Sequence, residues 1–243
     1  QEFLYRVKWK LKQETYYRFL SSLERKNLDR ELIERIIADF YFPKFNFETL
    51  EPKVFINQYQ QHFDSNLVIT KANNYLNHKI PIFELNLNVG KNINWNKDYR
   101  NDKIWPPEFI GNIHHADNEK GFIRYIWELN RFNHLVDLAK AYFLTKEEKY
   151  AQEIVNQLES WIIQNPYLMT VNWFSGLELG IRTINWIFAL KLIKNSTALS
   201  KEKLTTFLNS IYLQTNYLSN NLSKFSSANN HLTGELAGLK LIS

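Results

Sequence analysis

Cysteine is absent from this 243-residue chain, so it holds no disulfide framework and no thiolate metal site, and its redox compartment cannot be read. Glycine (7) and proline (6) are scarce, which argues against a many-turned β-sandwich or barrel. The longest apolar run, from Trp186 to Leu190 and on to Ile193, is interrupted by Lys191 and is far too short to cross a bilayer. Residues 1–6 (QEFLYR) are charged and aromatic, so no signal peptide is visible, although a leader already removed would leave no trace. Basic residues form no arm, zinc-finger spacing or zipper. They alternate with acids, as at Lys146, Glu147, Glu148 and Lys149, in the manner of a solvated helix face, and nucleic acid is not expected as a partner.

Common active-site signatures are missing too. There is no H-E-x-x-H and no G-x-S-x-G elbow, and GKNINW (90–95) lacks the second glycine and the Lys-Ser/Thr ending of a phosphate loop. His231 and Glu235, four residues apart, are a spacing that zinc could use, but the loop pair His114-His115 adds no further ligand at a suitable distance. Neither a metal nor a cofactor is expected.

Aromatic side chains, by contrast, make up 15% of the chain and include seven Trp; such residues fill cores and also form the platforms on which sugar rings rest. The net charge of +5 and pI near 9.1 give a mild attraction for polyanions, among them acidic polysaccharide.

The length suits one large domain, or a main domain with an N-terminal extension. Residues 1–40 read as helical, with Leu32, Ile33, Ile36, Ile37 and Phe40 at helical spacing. From 41 to 115 the pattern breaks into short runs among Asn, Pro and Gly: irregular loops, a helix near 56–63 and a short hairpin. From 119 onward nearly everything is helical. The spacing predicts one helix over 125–144, and Thr145 with Glu148 is a capping box opening a second, to about Ile163. Ser175 with Glu178 is another such box, opening a segment to about Ile193; Ser200 caps a stretch through Leu222, and Asn229 or Asn230 opens the last. That last helix is still under way at Ser243, so a fragment is expected. Several of these helices are apolar on more than one face, which suits alternating inner and outer helices in an α/α toroid or solenoid; no repeat consensus supports the common solenoids.

Three polar clusters stand out. Residues 226–238 (SSANNHLTGELAG) place Asn229, Asn230 and His231 at a helix start with Glu235 one turn on, among small residues that permit close approach. Free N–H groups and the positive dipole end there attract a carboxylate, although a capping Asn and an ordinary helical His explain the pattern as well. On one continuous helix Trp127, Asn130, Arg131 and His134 would share a face, presenting a platform, an amide, a guanidinium and an imidazole to a carboxylated sugar; the rival account is an internal network in which Arg131 pairs with Glu128 or Glu178. Asn172 and Trp173 stand at another helix entrance and would share a rim with Asn230 if helices alternate in and out. GKNINW is either a sugar-contact loop or a buried turn.

Five blocks, GKNINW (90–95), WELNRFNHLVDLAKAYFLTKEEKYA (127–151), NQLESWIIQNP (156–166), VNWFSGLELGIRTINW (171–186) and NNHLTGELAGL (229–239), occur in the order found in the heparinase II/III family, and the chain resembles its N-terminal helical domain. The likeness is strongest to heparinase III-type and alginate-lyase-like members and covers about residues 85–243. It implies a mainly α protein, an incomplete α/α toroid (85–243) preceded by a short irregular α+β N-terminal extension (1–84). It also implies a polysaccharide lyase acting on uronic-acid-containing glycans by β-elimination, and it favours the periplasm. Asn230 falls on the family's carboxylate-neutralising Asn and His231 on its neighbouring His. Asn229, Glu235, Trp127, Asn130, Arg131, His134, Asn172 and Trp173 would line the substrate cleft. The family's catalytic Tyr and a further His are expected beyond residue 243, which would leave the fragment inactive alone. Two other classes remain open: a non-catalytic binding or assembly protein for acidic glycans on the same scaffold, and a glycoside hydrolase using two of Glu128, Glu178 and Glu235.

Overall fold

The computed structural model describes residues 64–114, 118–225 and 228–242. The expected helices within 1–40 and near 56–63, and His115, lie outside the described residues. Helix α1 (Ser65–Leu76) starts where the Asp64 carboxylate accepts from the Leu67 N–H at 3.0 Å. It ends at Leu76, and His78, with a φ of 55°, turns the chain into the hairpin β1 (Lys79–Ile82) and β2 (Leu85–Asn88). These strands are antiparallel, with Lys79 opposite Asn88 and Ile82 opposite Leu85, and the alternation of β1 sends Ile80 and Ile82 into the core. A second, two-residue ladder joins β3 (Lys97–Asp98) to β4 (Lys103–Ile104).

Six helices follow: α2 (Ile123–Asn130), α3 (Asn133–Thr145), α4 (Glu148–Gln164), α5 (Gly176–Leu192), α6 (Lys201–Asn220) and α7 (Asn230–Ile242). Helices α1, α3, α5 and α7 lie side by side as one row. Helices α4 and α6 form a second row across it, α4 packing on α3 and α6, and α6 on α5 and α7. Beyond α2 every other helix thus belongs to the same layer, the inner-and-outer alternation expected of an α/α toroid. Helix α5, whose sequence is apolar on more than one face, has neighbours in both rows. Because α1 packs on α3 and places Ala72 and Tyr75 in the common core, this layer begins before residue 85.

Trp95, Trp105, Trp161, Trp173 and Trp186 are fully buried, so most of the tryptophan fills the core. At its centre the Phe132 ring lies 4.7 Å from Trp95 and 5.6 Å from Trp186, and Trp161 meets Trp186 edge-on at 5.2 Å.

Two local expectations are corrected. The helix expected over 125–144 is interrupted, because Phe132 adopts the left-handed region (φ 60°) and α3 starts afresh at Asn133. Inserting a large ring among three tryptophans outweighs the cost of one non-glycine residue at positive φ. The Thr145–Glu148 capping box is not formed either. Thr145 Oγ1 donates back to the Ala141 carbonyl, Glu147 is the cap residue, and the Glu148 carboxylate accepts from Ser196 Oγ at 2.5 Å. Ser175 does sit at the cap of α5 but makes no side-chain cap bond, whereas Ser200 caps α6 as expected through the Lys203 N–H.

Candidate functional site

Asn229 and Asn230 are exposed and His231 is half-buried. The Asn229 carbonyl accepts the first helical bond of α7, from the Thr233 N–H at 3.1 Å, so the preceding N–H groups point out of the helix start. Helix α7 lies against α5 at glycines. A Cβ on Gly180 would stand 2.7 Å from the Gly234 carbonyl oxygen, and one on Gly238 would meet Gly180 Cα at the same distance. The small residues of 226–238 therefore admit a neighbouring helix. Gly176 faces Glu235 and Gly180 faces Gly238, so the two helices run in the same direction and begin on the same side. The Asn230–His231 end thus opens beside the entrance to α5.

Glu235 does not reach that opening. It is 1% exposed and accepts from the Ser223 N–H (2.8 Å) and Oγ–H (2.7 Å), tying the segment after α6 to α7. One oxygen would stand 2.6 Å from a Cβ on Gly176, so a side chain at the first turn of α5 would displace the Glu235 carboxylate. Sequence reasoning missed Ser223 and Gly176, since neither stands in a recognisable spacing with Glu235.

At the other flank of the α5 entrance, Trp127 stacks on Phe174 (6.4 Å, 13° between planes) and donates through Nε1 to the Val171 carbonyl. Arg131 is clasped by Glu178, at 2.7 and 3.0 Å, and by Glu128 at 2.6 Å. The Glu178 bond holds the guanidinium above its ordinary pKa against the opposing effect of burial. The internal ion-pair network is therefore realised, and Arg131, on average half-buried, keeps only part of its edge in solvent.

The other residues expected to line the cleft are enclosed. Asn130 is fully buried; its amide donates to the carbonyls of Trp95 (2.9 Å) and Ile126 (2.7 Å) and accepts from Trp161 Nε1 (2.7 Å). Asn172 is also fully buried and donates to the same Trp95 carbonyl and to Asn165 Oδ1, while Trp173 Nε1 donates to the Asn165 carbonyl. Arg182 lies under them, its guanidinium 4.5 Å from the Trp161 ring centroid, with Nη2 donating to the Asn172 carbonyl; burial pushes its pKa down to about 9. His134 Nε2 is 2.7 Å from Gln157 Oε1, and burial pushes this imidazole down to about 4. Asn130, Asn172 and Gln164 pin the 90–96 loop to α2, to the turn before α5 and to α4, and the side chains of Asn130, His134, Asn172, Trp173 and Arg182 are buried.

That pinned loop walls a cavity of about 560 Å³ between α4 and His78, which sequence reasoning did not find. Its signal was present: Glu153, Asn156, Gln157, Ser160 and Gln164 follow the three-and-four spacing of one helix face, a polar stripe where α4 would otherwise bury apolar groups. Among the described residues no group of His, Asp and Glu is arranged to hold a metal ion.

Comparison with known proteins agrees with this architecture. The family description Heparinase II/III N-terminus matches residues 5–242. A heparin-sulfate lyase of Pedobacter heparinus is 31% identical over 147 residues, a stretch that covers 58% of this chain and 19% of that protein. The crystal structure of heparan sulfate lyase HepC from Pedobacter heparinus superposes with a TM-score of 0.59 at 23% identity, covering 84% of this chain and 29% of that one. A heparinase III structure gives 0.55 at 20% identity, covering 86% and 34%. At these identities the structural likeness is one of fold, and the chain spans about a fifth of the length of its curated relative. With more than half its length matched by one family description, the chain belongs to the heparinase II/III N-terminus family.

Proposed function

We propose that this chain is the helical part of a lyase that cleaves uronate-containing acidic polysaccharide, heparan sulfate-like or alginate-like, by β-elimination. The observation that carries this reading is the exposed start of α7, where Asn230 and His231 stand beside outward-pointing N–H groups. Abstraction of the proton on the carbon next to the uronate carboxylate shifts negative charge onto that carboxylate. Donors already placed there stabilise the enolate-like transition state, and Asn230 supplies an amide for that purpose with His231 assisting. Collapse of the enolate breaks the C4–O bond. The leaving sugar takes a proton at its oxygen, and the remaining uronate carries a C4–C5 double bond. Groups that move these two protons, a Tyr and a further His, are proposed to lie beyond residue 243. Trp127 and the solvent edge of Arg131 would flank the bound chain, while Asn130, His134, Asn172, Trp173 and Glu235 support the cleft from behind.

The test is ultraviolet absorbance of the full-length protein, wild type and Asn230→Ala, incubated with heparan sulfate, alginate and hyaluronan. A rise with one glycan, reduced on the order of a hundredfold in the variant, is expected. Glycan binding without any rise would favour the non-catalytic binding protein, and new reducing ends without absorbance would mean hydrolysis.

A further inference from the structure

The cavity between α4 and the 90–95 loop takes no residue from α5, α6 or α7, so it is separate from the Asn230 end. It is also built in advance. Trp95 donates its N–H to Gln164 Oε1 (3.1 Å) and its Nε1–H to Ser160 Oγ (3.2 Å), while Gln164 Nε2 donates to the Ile93 carbonyl (2.8 Å). Gln157 is held between His134 and Glu153, at 2.7 Å from each. Against this fixed wall several polar groups retain unused capacity. His78 Nδ1 is buried with no hydrogen-bond partner, and Glu153 Oε1 stands 3.7 Å away. Lys91 makes no ion pair among the described residues, although its charge bears on Glu153. Asn156 uses its carbonyl oxygen for Gln152 and leaves its NH₂ group uncommitted.

Such a lining, an ammonium and a carboxylate among amides, matches a small polyhydroxylated ring that carries one acidic group. Hydroxyl groups donate to Glu153 and accept from Asn156 and His78, while the acidic group meets Lys91. A cavity of about 560 Å³ is the size of a small-molecule site. We propose that this cavity is a second carbohydrate site, holding a single acidic sugar unit such as a uronate. It rests on the cavity itself and not on the chemistry assigned to Asn230.

The test is titration calorimetry of the full-length protein with glucuronate, with glucose and with inorganic sulfate, on wild type, Asn230→Ala, Lys91→Ala and Asn156→Ala. Lys91 is exposed, so its substitution leaves the folded chain intact, and thermal unfolding verifies this for each variant. Glucuronate is expected to remain bound in Asn230→Ala, at the cavity alone, and to bind at the cavity of Lys91→Ala about tenfold more weakly, the loss of one charge-assisted hydrogen bond. Asn156→Ala should weaken glucuronate and any residual glucose binding together. Unchanged glucuronate affinity in Lys91→Ala, loss of binding in Asn230→Ala, or sulfate binding as tightly as glucuronate would each overturn the proposal.

Discussion

Asn130 shows how much a single amide can hold. Its two donors and its acceptor join α2 to the Trp95 carbonyl and to Trp161, so Asn130→Ala leaves the Trp161 indole N–H buried without its partner and takes one of two donors from the Trp95 carbonyl, which keeps Asn172. At roughly 1–3 kcal/mol for an unsatisfied buried group, the variant should lose about 2 kcal/mol in urea unfolding, whereas the exposed Asn230→Ala should leave the midpoint nearly unchanged. His134 makes a pH-dependent contribution. Burial lowers its pKa to about 4 from 6.5, so the unfolded chain takes up a proton below pH 6.5 that the folded chain resists. Stability is full above pH 6.5 and falls as pH drops toward 4, by about 3 kcal/mol for this group. Glu153, raised by burial, acts in the opposite sense, so the measurement is the difference in slope between wild type and His134→Gln. A slope unchanged by the substitution would show that His134 does not titrate as described. The sequence marked Asn130, His134, Asn172 and Asn230 as polar residues in recognisable blocks, but it could not sort them. An amide that satisfies a buried carbonyl and one that meets a ligand look the same until burial is known.

Among the elements, the α5–α7 crossing depends on the absence of side chains. Gly180→Ala would ordinarily favour a helix by about 1 kcal/mol. Here the new methyl stands 2.7 Å from the Gly234 carbonyl, so the helices must separate. Net destabilisation of about 1–3 kcal/mol is expected, and an increase in melting temperature would contradict the close packing. The opposite sign is expected at the end of α3. Lys146 closes that helix with a φ of 59°, a conformation natural to glycine, and Lys146→Gly should raise stability by up to about 1 kcal/mol. Helix ends marked by local chemistry were legible: α4 ends at Gln164 before Asn165-Pro166, and α6 begins after Ser200. The break at Phe132 was not, because residues 125–144 keep helical spacing throughout, and the gain that breaks them comes from tryptophans far along the chain, Trp161 in α4, Trp186 in α5 and Trp95. The same distance hides the cavity wall, whose loop and helix are about 60 to 70 residues apart.

Across the whole molecule, one of the two rows of helices presents the starts of α5 and α7 to one side, and along the sequence the acids and bases behind the net charge of +5 alternate. Charge gathered in a cleft can speed capture of an oppositely charged ligand by about 10- to 1,000-fold, and dispersed charge belongs at the low end of that range. For the proposed acidic glycan, the association rate should fall about tenfold between low salt and a salt concentration at which the screening length is about 3 Å. Surface-plasmon measurement with immobilised heparan sulfate and dextran distinguishes the outcomes. A steep, many-decade fall would mean a concentrated basic face that the alternating sequence does not provide. Equal and salt-independent capture of both polymers would mean that charge plays no part in recognition, and would count against an acidic substrate for this fold.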